Sequence, residues 1–246
     1  MNKKLVAFGI FAVAAAGVCV RLGIWQLHRL DERRAKNALV LERGKAAALP
    51  MRALHEQDTS ATHWRRVAVH GVADYDAEVV QTSRSQAGAP GVYVLTPVRP
   101  LEEGWGDTAL VLLRGYLYSA DARTVDLTRA REGDTLTVEA LVTAFPPPRP
   151  GAVRSPSSPM AIRALDHDTL SALMHRPLAP AVLLALGDTV ARDVALVTRI
   201  PPPSQSEGPH FSYAMQWFGF ATVFIIGFLA FARNSSRASR ANERLD

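Results

Sequence analysis

The chain has 246 residues, of which 48% are hydrophobic, and a net charge of +5, so it is long enough for one ordinary domain plus membrane segments. The excess positive charge lies at the two ends, because residues 22–232 carry 21 basic and 21 acidic residues. This distribution argues against nucleic-acid binding, which needs a basic patch on the folded domain. A single cysteine, Cys19, excludes intramolecular disulfides and paired-cysteine metal or redox sites.

The first apolar run predicts a membrane-spanning helix. Leu5–Val20 contains no charged residue, and the hydrophobic run continues past Arg21 to Leu27, which exceeds the roughly 20 residues needed to cross a bilayer. The lysines at its start place the N-terminus in the cytoplasm by the positive-inside rule. A cleavable signal peptide is the alternative, with Ala14–Ala16 as its cleavage site. We expect an uncleaved helix whose helical periodicity continues beyond the membrane until Pro50.

Strand patterns follow Pro50. Seven segments combine β-branched residues, alternation and flanking turn residues: WRRVAVHGVADY, EVVQTSR, GVYVLTPV, TALVLLRGYLY, DTLTVEALVTAF, PAVLLALG and DVALVTRI. ALDHDTLSALM predicts a short helix capped by Asp166 or Asp168, and the Pro/Ser-rich stretch in residues 145–159 predicts a disordered connector. This pattern predicts a compact β-rich domain of the sandwich or barrel type.

A second membrane helix is predicted near the C-terminus. Phe211–Ala232 contains no charged residue over 22 positions, and a basic tail follows. Both ends would therefore be cytoplasmic, with the central domain on the other side of the membrane. The predicted fold class is membrane α+β, with two transmembrane helices flanking a β-rich extracytoplasmic domain. Its predicted parts are residues 1–27 (first helix), 28–208 (β-rich domain with a helical extension), 209–232 (second helix) and 233–246 (basic tail).

No catalytic motif stands out in the sequence. A nucleophile elbow, a phosphate-binding glycine loop, a zinc-protease motif and a paired-carboxylate motif are all missing. The histidines of the central region do not have metal-site spacing. We therefore expect a protein that is not an enzyme; a membrane-anchored hydrolase is a rival that no motif supports.

Polar and aromatic residues mark the outer end of each predicted membrane helix. Helical spacing places His210, Tyr213 and Trp217 on one face of the second helix. On the first helix, Arg21, Trp25 and Arg29 lie four residues apart, with Gln26 one step round. Aromatic belts explain the tryptophans and the tyrosine. The alternative is a site for a flat, anionic, amphipathic ligand, since a neutral imidazole can bind haem iron and arginines can pair with carboxylates.

Four motifs, in order between two apolar helices, resemble those of the Surfeit-locus (Shy-type) cytochrome c oxidase assembly family. They are G-x-W-Q-x-x-R (Gly23, Trp25, Gln26, Arg29), G-x-x-x-x-T-P (Gly91, Thr96, Pro97), an Arg-Gly pair after an apolar strand (Arg114, Gly115), and a closing H-x-x-Y followed by tryptophan (His210, Tyr213, Trp217). Gly208 stands where the family pattern has asparagine, and Tyr116 and Tyr118 depart from its tryptophan and proline.

The resemblance implies a biogenesis factor for cytochrome c oxidase in the bacterial inner membrane, with a periplasmic central domain. It implies binding of haem a, with His210 as the iron ligand and Tyr213, Trp217, Trp25, Gln26 and Arg29 around the macrocycle. Arg29, and Arg21 with it, would meet the haem propionates. The implied partners are oxidase subunits, chiefly the haem-bearing one, the haem a synthesis machinery and the lipid bilayer. The alternatives are a haem-independent scaffold for oxidase subunits and an unrelated envelope protein.

Overall fold

The computed structural model describes residues 3–147, 153–155, 158–189, 193 and 196–242. Contacts divide the chain into two units, residues 1–39 with 205–246, and residues 40–204. The helices are α1 (Lys3–Lys45), α2 (Ala53–Glu56), α3 (Thr59–Thr62), α4 (His167–Met174) and α5 (His210–Asn242). The strands are β1 (Arg66–Ala73), β2 (Val79–Gln86), β3 (Ala89–Pro100), β4 (Ala109–Tyr118), β5 (Thr135–Ala144), β6 (Ala161–Ile162) and β7 (Leu178–Ala185).

The second unit contains a closed five-stranded barrel. Its sheet runs in the order β1-β5-β7-β4-β3-β2-β6, and an additional antiparallel pairing of β1 with β3 closes the first five strands into a ring. β4 and β7 pair in parallel, while the other neighbours within the ring are antiparallel. Closure pairs β1 and β3, which would otherwise lie at open ends of the five-stranded sheet, while β2 and β6 extend from β3 outside the ring. The structure thus confirms the predicted β-rich domain between two apolar helices and selects the barrel over the sandwich.

The burial pattern of the strands follows from this closure. Alternate residues of β1, such as Val67 and Val69, belong to a buried core with Leu110 and Leu112 of β4. The opposite face of β4 belongs to a second buried core that includes Leu170 of α4. With both faces covered, β4 reads as a continuous apolar run rather than an alternating one.

Arg114 interrupts that apolar run and forms a buried ion network. Its side chain has no solvent exposure; Nη2 donates to Glu78 Oε1 at 2.6 Å and Nε donates to Thr96 Oγ1 at 2.8 Å. The Thr96 hydroxyl donates in turn to Glu78. Burial raises the pKa of Glu78, although Arg114 and Thr96 oppose that shift, and its Oε2 is buried without a hydrogen-bond partner among the described residues. This network links β3 and β4 to Glu78, the residue that precedes β2.

The network extends to the chain that follows the barrel. Arg114 Nη1 donates to Glu132 Oε1 at 3.1 Å, and Arg199 donates to both oxygens of the same carboxylate. Tyr116 and Thr198 exchange backbone hydrogen bonds of 2.7 and 2.8 Å. A side chain at Gly115 would have its Cβ 2.2 Å from the Thr198 carbonyl oxygen, so this close approach requires glycine.

Most local predictions are confirmed. Six of the seven predicted strand segments are strands, and Asp166 caps α4 by accepting from the Thr169 amide. The segment DVALVTRI forms only the isolated bridge at Thr198 within its described residues. α2, α3 and β6 were not predicted; β6 pairs with Arg154 in the Pro/Ser-rich stretch, part of which lies outside the described residues. The domain boundaries stay predictions.

The first unit contains two helices that are long and apolar enough to cross a membrane, α1 and α5. α1 has 43 residues and α5 has 33. Their buried residues are spaced by four, three, four and seven positions in α1 and by seven in α5, the pattern of helices that pack along a single seam. These residues are Ala12, Ala16, Cys19, Gly23 and Leu30 of α1 and Ala214 and Ala221 of α5. We call this the helix seam.

Candidate ligand site on the helix seam

α1 and α5 pack against each other in antiparallel orientation. The rings of Phe8 and Phe231 lie 5.2 Å apart, and those of Phe11 and Phe224 lie 6.1 Å apart, so rising numbers on one helix meet falling numbers on the other. Small residues of the seam allow this approach. At Gly23, a Cβ would lie only 2.6 Å from the Phe218 ring. Gly23 therefore makes room for Phe218 one turn away from Gln26.

The candidate site is a hydrogen bond between the two helices, His210 to Gln26. His210 Nδ1 and Gln26 Oε1 are 2.8 Å apart, and both side chains are partly buried. The amide oxygen can only accept, so this contact is a hydrogen bond when Nδ1 carries the proton and donates it. In the neutral ring the other nitrogen, Nε2, then has a free lone pair, which is the form of histidine that binds metals.

Gly208 leaves space beside the free nitrogen. It has φ +72°, and its Cβ position would lie 3.5 Å from His210 Cδ2 and 3.6 Å from Nε2. Left-handed backbone is adopted mainly by glycine and asparagine. The asparagine expected here and the glycine found are thus the two residue types suited to the same backbone conformation.

From His210 towards the C-terminal end of α5, the seam is apolar and aromatic. Trp217 packs against a buried cluster of Ala16, Cys19 and Ala221. Its ring meets the Phe220 ring edge-on at 5.9 Å. Cys19 therefore has a packing role, and Trp217 lies on the same face of α5 as His210, two turns along, as its spacing predicts.

In the residues that precede His210, the contacts with α1 become polar. Arg34 forms a two-pronged ion pair with Glu207 at 2.9 and 3.1 Å, and Asn37 Nδ2 donates to the Gln205 carbonyl at 2.6 Å. The hydrogen bond from Arg34 holds the pKa of Glu207 below its ordinary value. These contacts tie the segment that enters α5 to the extension of α1, and so fix the position of His210 along the seam.

The remaining predicted residues lie outside the hydrogen-bonded pair. Tyr213 is 46% exposed and Trp25 is 52% exposed. Trp25 lines a groove of about 510 Å³ with Arg21, Leu22, Ile24 and His28. Arg29 forms an ion pair with Glu32 one turn along α1. The structure thus brings Gln26 to His210, but it does not bring Trp25 or Arg29 there, and their roles stay predictions.

Three contributors to this site were not predicted: the close packing of Phe218 against Gly23, and the paired residues Arg34 and Glu207. Gly23 appeared only as a motif residue, and no sequence pattern shows that Phe218 faces it. Arg34 and Glu207 are 173 positions apart, and each belongs to a polar stretch in which many charges lie. The one available signal was the continued helical periodicity of α1 past Leu27.

Comparison with known families identifies the chain. The model of the SURF1 family matches residues 13–222, which is most of the sequence and covers part of each apolar helix. The chain belongs to the SURF1 family. This confirms the resemblance seen in the four sequence motifs. A SURF1-like protein from Rickettsia felis is 21% identical over 218 residues, covering 88% of this chain and 93% of that protein.

Seven of the residues in the four motifs fall in two places. Gly23, Gln26, His210 and Trp217 lie on the helix seam, in the first unit. Thr96 and Arg114, with Gly115, lie in the buried network of the barrel. Within the described residues no cluster of three or more metal-binding side chains occurs. His210 is the candidate ligand because its Nε2 is left without a hydrogen-bond partner among the described residues, whereas Thr96, Arg114 and Gly115 are packed inside the barrel unit.

Proposed function

We propose that this SURF1 protein is a biogenesis factor for cytochrome c oxidase in a bacterial inner membrane, and that it binds haem a through His210. The assembly role is what the family is generally known for. The haem role is supported by one observation, the His210–Gln26 hydrogen bond that leaves Nε2 free to act as a ligand.

The residues at the seam fit a haem. A histidine nitrogen is a common ligand of haem iron. Ligation through Nε2 requires the neutral tautomer with its proton on Nδ1, and the hydrogen bond to Gln26 stabilises that tautomer. Gly208 offers no side chain to obstruct that edge of the ring. Trp217 and Tyr213 supply aromatic surface on the same part of α5. A macrocycle with an apolar face and anionic propionates suits a helix pair that changes from apolar to charged near His210.

In this proposal the protein holds and orients its ligand, and it makes or breaks no covalent bond. When bound, the haem iron supplies a coordination position that a single imidazole can occupy reversibly. Gln26 holds the Nδ1 proton, the apolar seam excludes water from one side of His210, and Arg34 with Glu207 fixes the start of α5. Arg21 has no ion-pair partner among the described residues, so it is available to a propionate, whereas Arg29 already has Glu32.

The topology belongs to the same proposal. Two terminal apolar helices with basic residues at both ends favour cytoplasmic termini and a periplasmic barrel. The partners would be oxidase subunits, chiefly the haem-bearing one, together with the machinery that makes haem a.

A haem-independent scaffold is the second candidate. Outside the seam, α1 and α5 expose large apolar side chains to their surroundings, including Phe211, Phe220 and Ile226 at 52–60% exposure. Such a surface could pack against a membrane helix of an oxidase subunit without any cofactor.

The deciding experiment compares optical spectra of the full-length protein purified from a host that makes haem a. His210→Ala removes the proposed ligand. The matched control is His28→Ala, which removes another histidine of the same unit that lies in the groove beside Trp25. Haem a bound by wild type and by His28→Ala but lost from His210→Ala supports the proposal.

Two other outcomes reject the haem role of His210. Equal haem in all three proteins would assign the ligand to another residue. No haem in folded wild-type protein, from a host shown to make haem a, would favour the scaffold; co-purification of an oxidase subunit in that case would support it directly.

A further inference from the structure

We propose that Gln26 is a positioning residue that fixes the tautomer of His210 and so controls how strongly its Nε2 binds a metal. This inference rests on the proposed haem ligation by His210, and it assigns Gln26 a role in the protonation of the ligand rather than in contact with the macrocycle. The carrying observation is the Nδ1–Oε1 distance of 2.8 Å across the helix seam.

The bond matters because a neutral imidazole has two tautomers with opposite consequences. If Nε2 carries the proton, the nitrogen beside Gly208 cannot act as a ligand; if Nδ1 carries it, that nitrogen presents a lone pair. Only an acceptor at Nδ1 selects the second form. Among the described residues, Gln26 Oε1 is the one hydrogen-bond partner of the His210 ring.

Gln26 is held where it can act as this acceptor. It lies on the seam three residues after Gly23, where Phe218 packs closely, and four residues before Leu30, which is 2% exposed. A partly buried hydrogen bond in apolar surroundings competes with little water, so its loss is not made good by solvent. Outer-shell partners of metal-bound histidines act in the same way, and their removal typically costs about 10- to 100-fold in metal affinity.

Two substitutions at position 26 distinguish the effect of the hydrogen-bond acceptor from the effect of side-chain shape. Gln26→Leu is of similar size but cannot accept a hydrogen bond, whereas Gln26→Glu retains an acceptor oxygen and strengthens it with a charge. If position 26 only fills space, Gln26→Leu should behave like wild type. If it controls the tautomer, Gln26→Glu should behave like wild type or exceed it.

The first measurement is independent of haem. The full-length protein without haem, labelled with ¹⁵N-histidine in lipid nanodiscs at mildly alkaline pH, reports which ring nitrogen is protonated through its chemical shifts. We expect the His210 proton on Nδ1 in wild type and Gln26→Glu, and a shift of population towards Nε2 in Gln26→Leu. An unchanged tautomer in Gln26→Leu, or an Nε2 proton in wild type, would overturn the inference.

The second measurement titrates haem a into the same proteins. We expect about 10- to 100-fold weaker binding by Gln26→Leu, with Gln26→Glu retaining wild-type affinity and shifting the reduction potential of the bound haem to a more negative value. A tautomer change without any loss of affinity would refute the positioning role.

The two inferences can fail separately. If wild type carries the proton on Nδ1 but binds no haem, haem binding fails while the tautomer assignment to Gln26 stands. If wild type binds haem and Gln26→Leu binds it equally, only the role of Gln26 fails. Recovery of binding in Gln26→Glu excludes a general loss of helix packing, because both variants change the same position.

Discussion

Replacing Arg114 by methionine should destabilise the barrel severely. The guanidinium is fully buried, and its removal takes from Glu78, a side chain with 1% exposure, the cationic partner at 2.6 Å. Breaking a buried ion pair by deleting one partner typically costs about 3–5 kcal/mol, because the remaining charge is buried without compensation. The loss in Arg114→Met should approach the upper value, since Thr96 Oγ1 and the Ala130 carbonyl also lose their donor.

Hydrogen exchange of β3 and β4 peptides in the full-length protein measures this cost locally. A loss of about 3–5 kcal/mol lowers the protection of their slowest amides by roughly 10²- to 10⁴-fold. The matched control is Arg131→Met, which breaks an ion pair to Asp76 in which both side chains are largely exposed. Exposed pairs contribute about 0–1 kcal/mol, so this variant should change protection by less than about tenfold.

A double variant tests the reasoning itself. Arg114→Met combined with Glu78→Met removes both charges, so the barrel should be more stable than with Arg114→Met alone. If the double variant is as unstable as the single variant or less stable, the cost does not come from an unpaired carboxylate, and the argument from burial is refuted.

Three further predictions follow from described contacts. Gly23→Leu should separate the helices at Phe218, abolishing oxidative cross-linking between Cys19 and a cysteine placed at Ala221; adding Phe218→Ala should restore it. Asp166→Ala should cost about 1 kcal/mol through loss of the α4 cap, while Asp166→Asn retains it, as thermal unfolding would show. Burial would raise the pKa of Glu132, but the hydrogen bonds and charges of Arg199 and Arg114 outweigh burial and hold that pKa below the ordinary 4.5. The ionised Glu132 carboxylate therefore stabilises the fold above pH 4.5, and this stabilisation is lost as the pH falls through the lowered pKa. The stability difference between wild type and Glu132→Gln should therefore shrink on acidification in denaturant titrations at successive pH values, and a difference independent of pH would contradict the assignment.

The strands of the barrel were predictable because their patterns are local. β1 and β5 alternate, and the continuous apolar runs of β4 and β7 indicate strands covered on both faces. Ring closure was not predictable, because it depends on β1 meeting β3 rather than on any property of either strand alone. The sequence accordingly left sandwich and barrel open.

The geometry of the candidate site was predictable in part for a similar reason. Helical spacing alone places His210 and Trp217 on one face of α5. Which face of α1 meets them depends on the rotation of that helix, and Gln26 and Trp25 differ by only one position but by about 100° around the axis. The small residues that set the rotation, Gly23 among them, reveal their effect only once the Phe218 ring is in place.

The buried network shows what a sequence pattern conceals. An arginine within the apolar run VLLRGYLY signals an unusual environment, but its partners come from three other segments. The sequence indicated Arg114 and Thr96 only through the family resemblance. Their contact, and the inclusion of Glu78, follow from strand pairing that no local pattern determines.

The His210–Gln26 bond joins residues 184 positions apart, and this has a consequence for biosynthesis. Gln26 leaves the ribosome early, whereas His210 emerges only after the whole barrel sequence has been made. If the proposed site binds a ligand, a nascent chain could not hold it there until α5 has been made and has packed against α1. Only a full-length chain would then bind a cofactor at this site. Chains truncated before His210 would not bind it, even if their barrel folds.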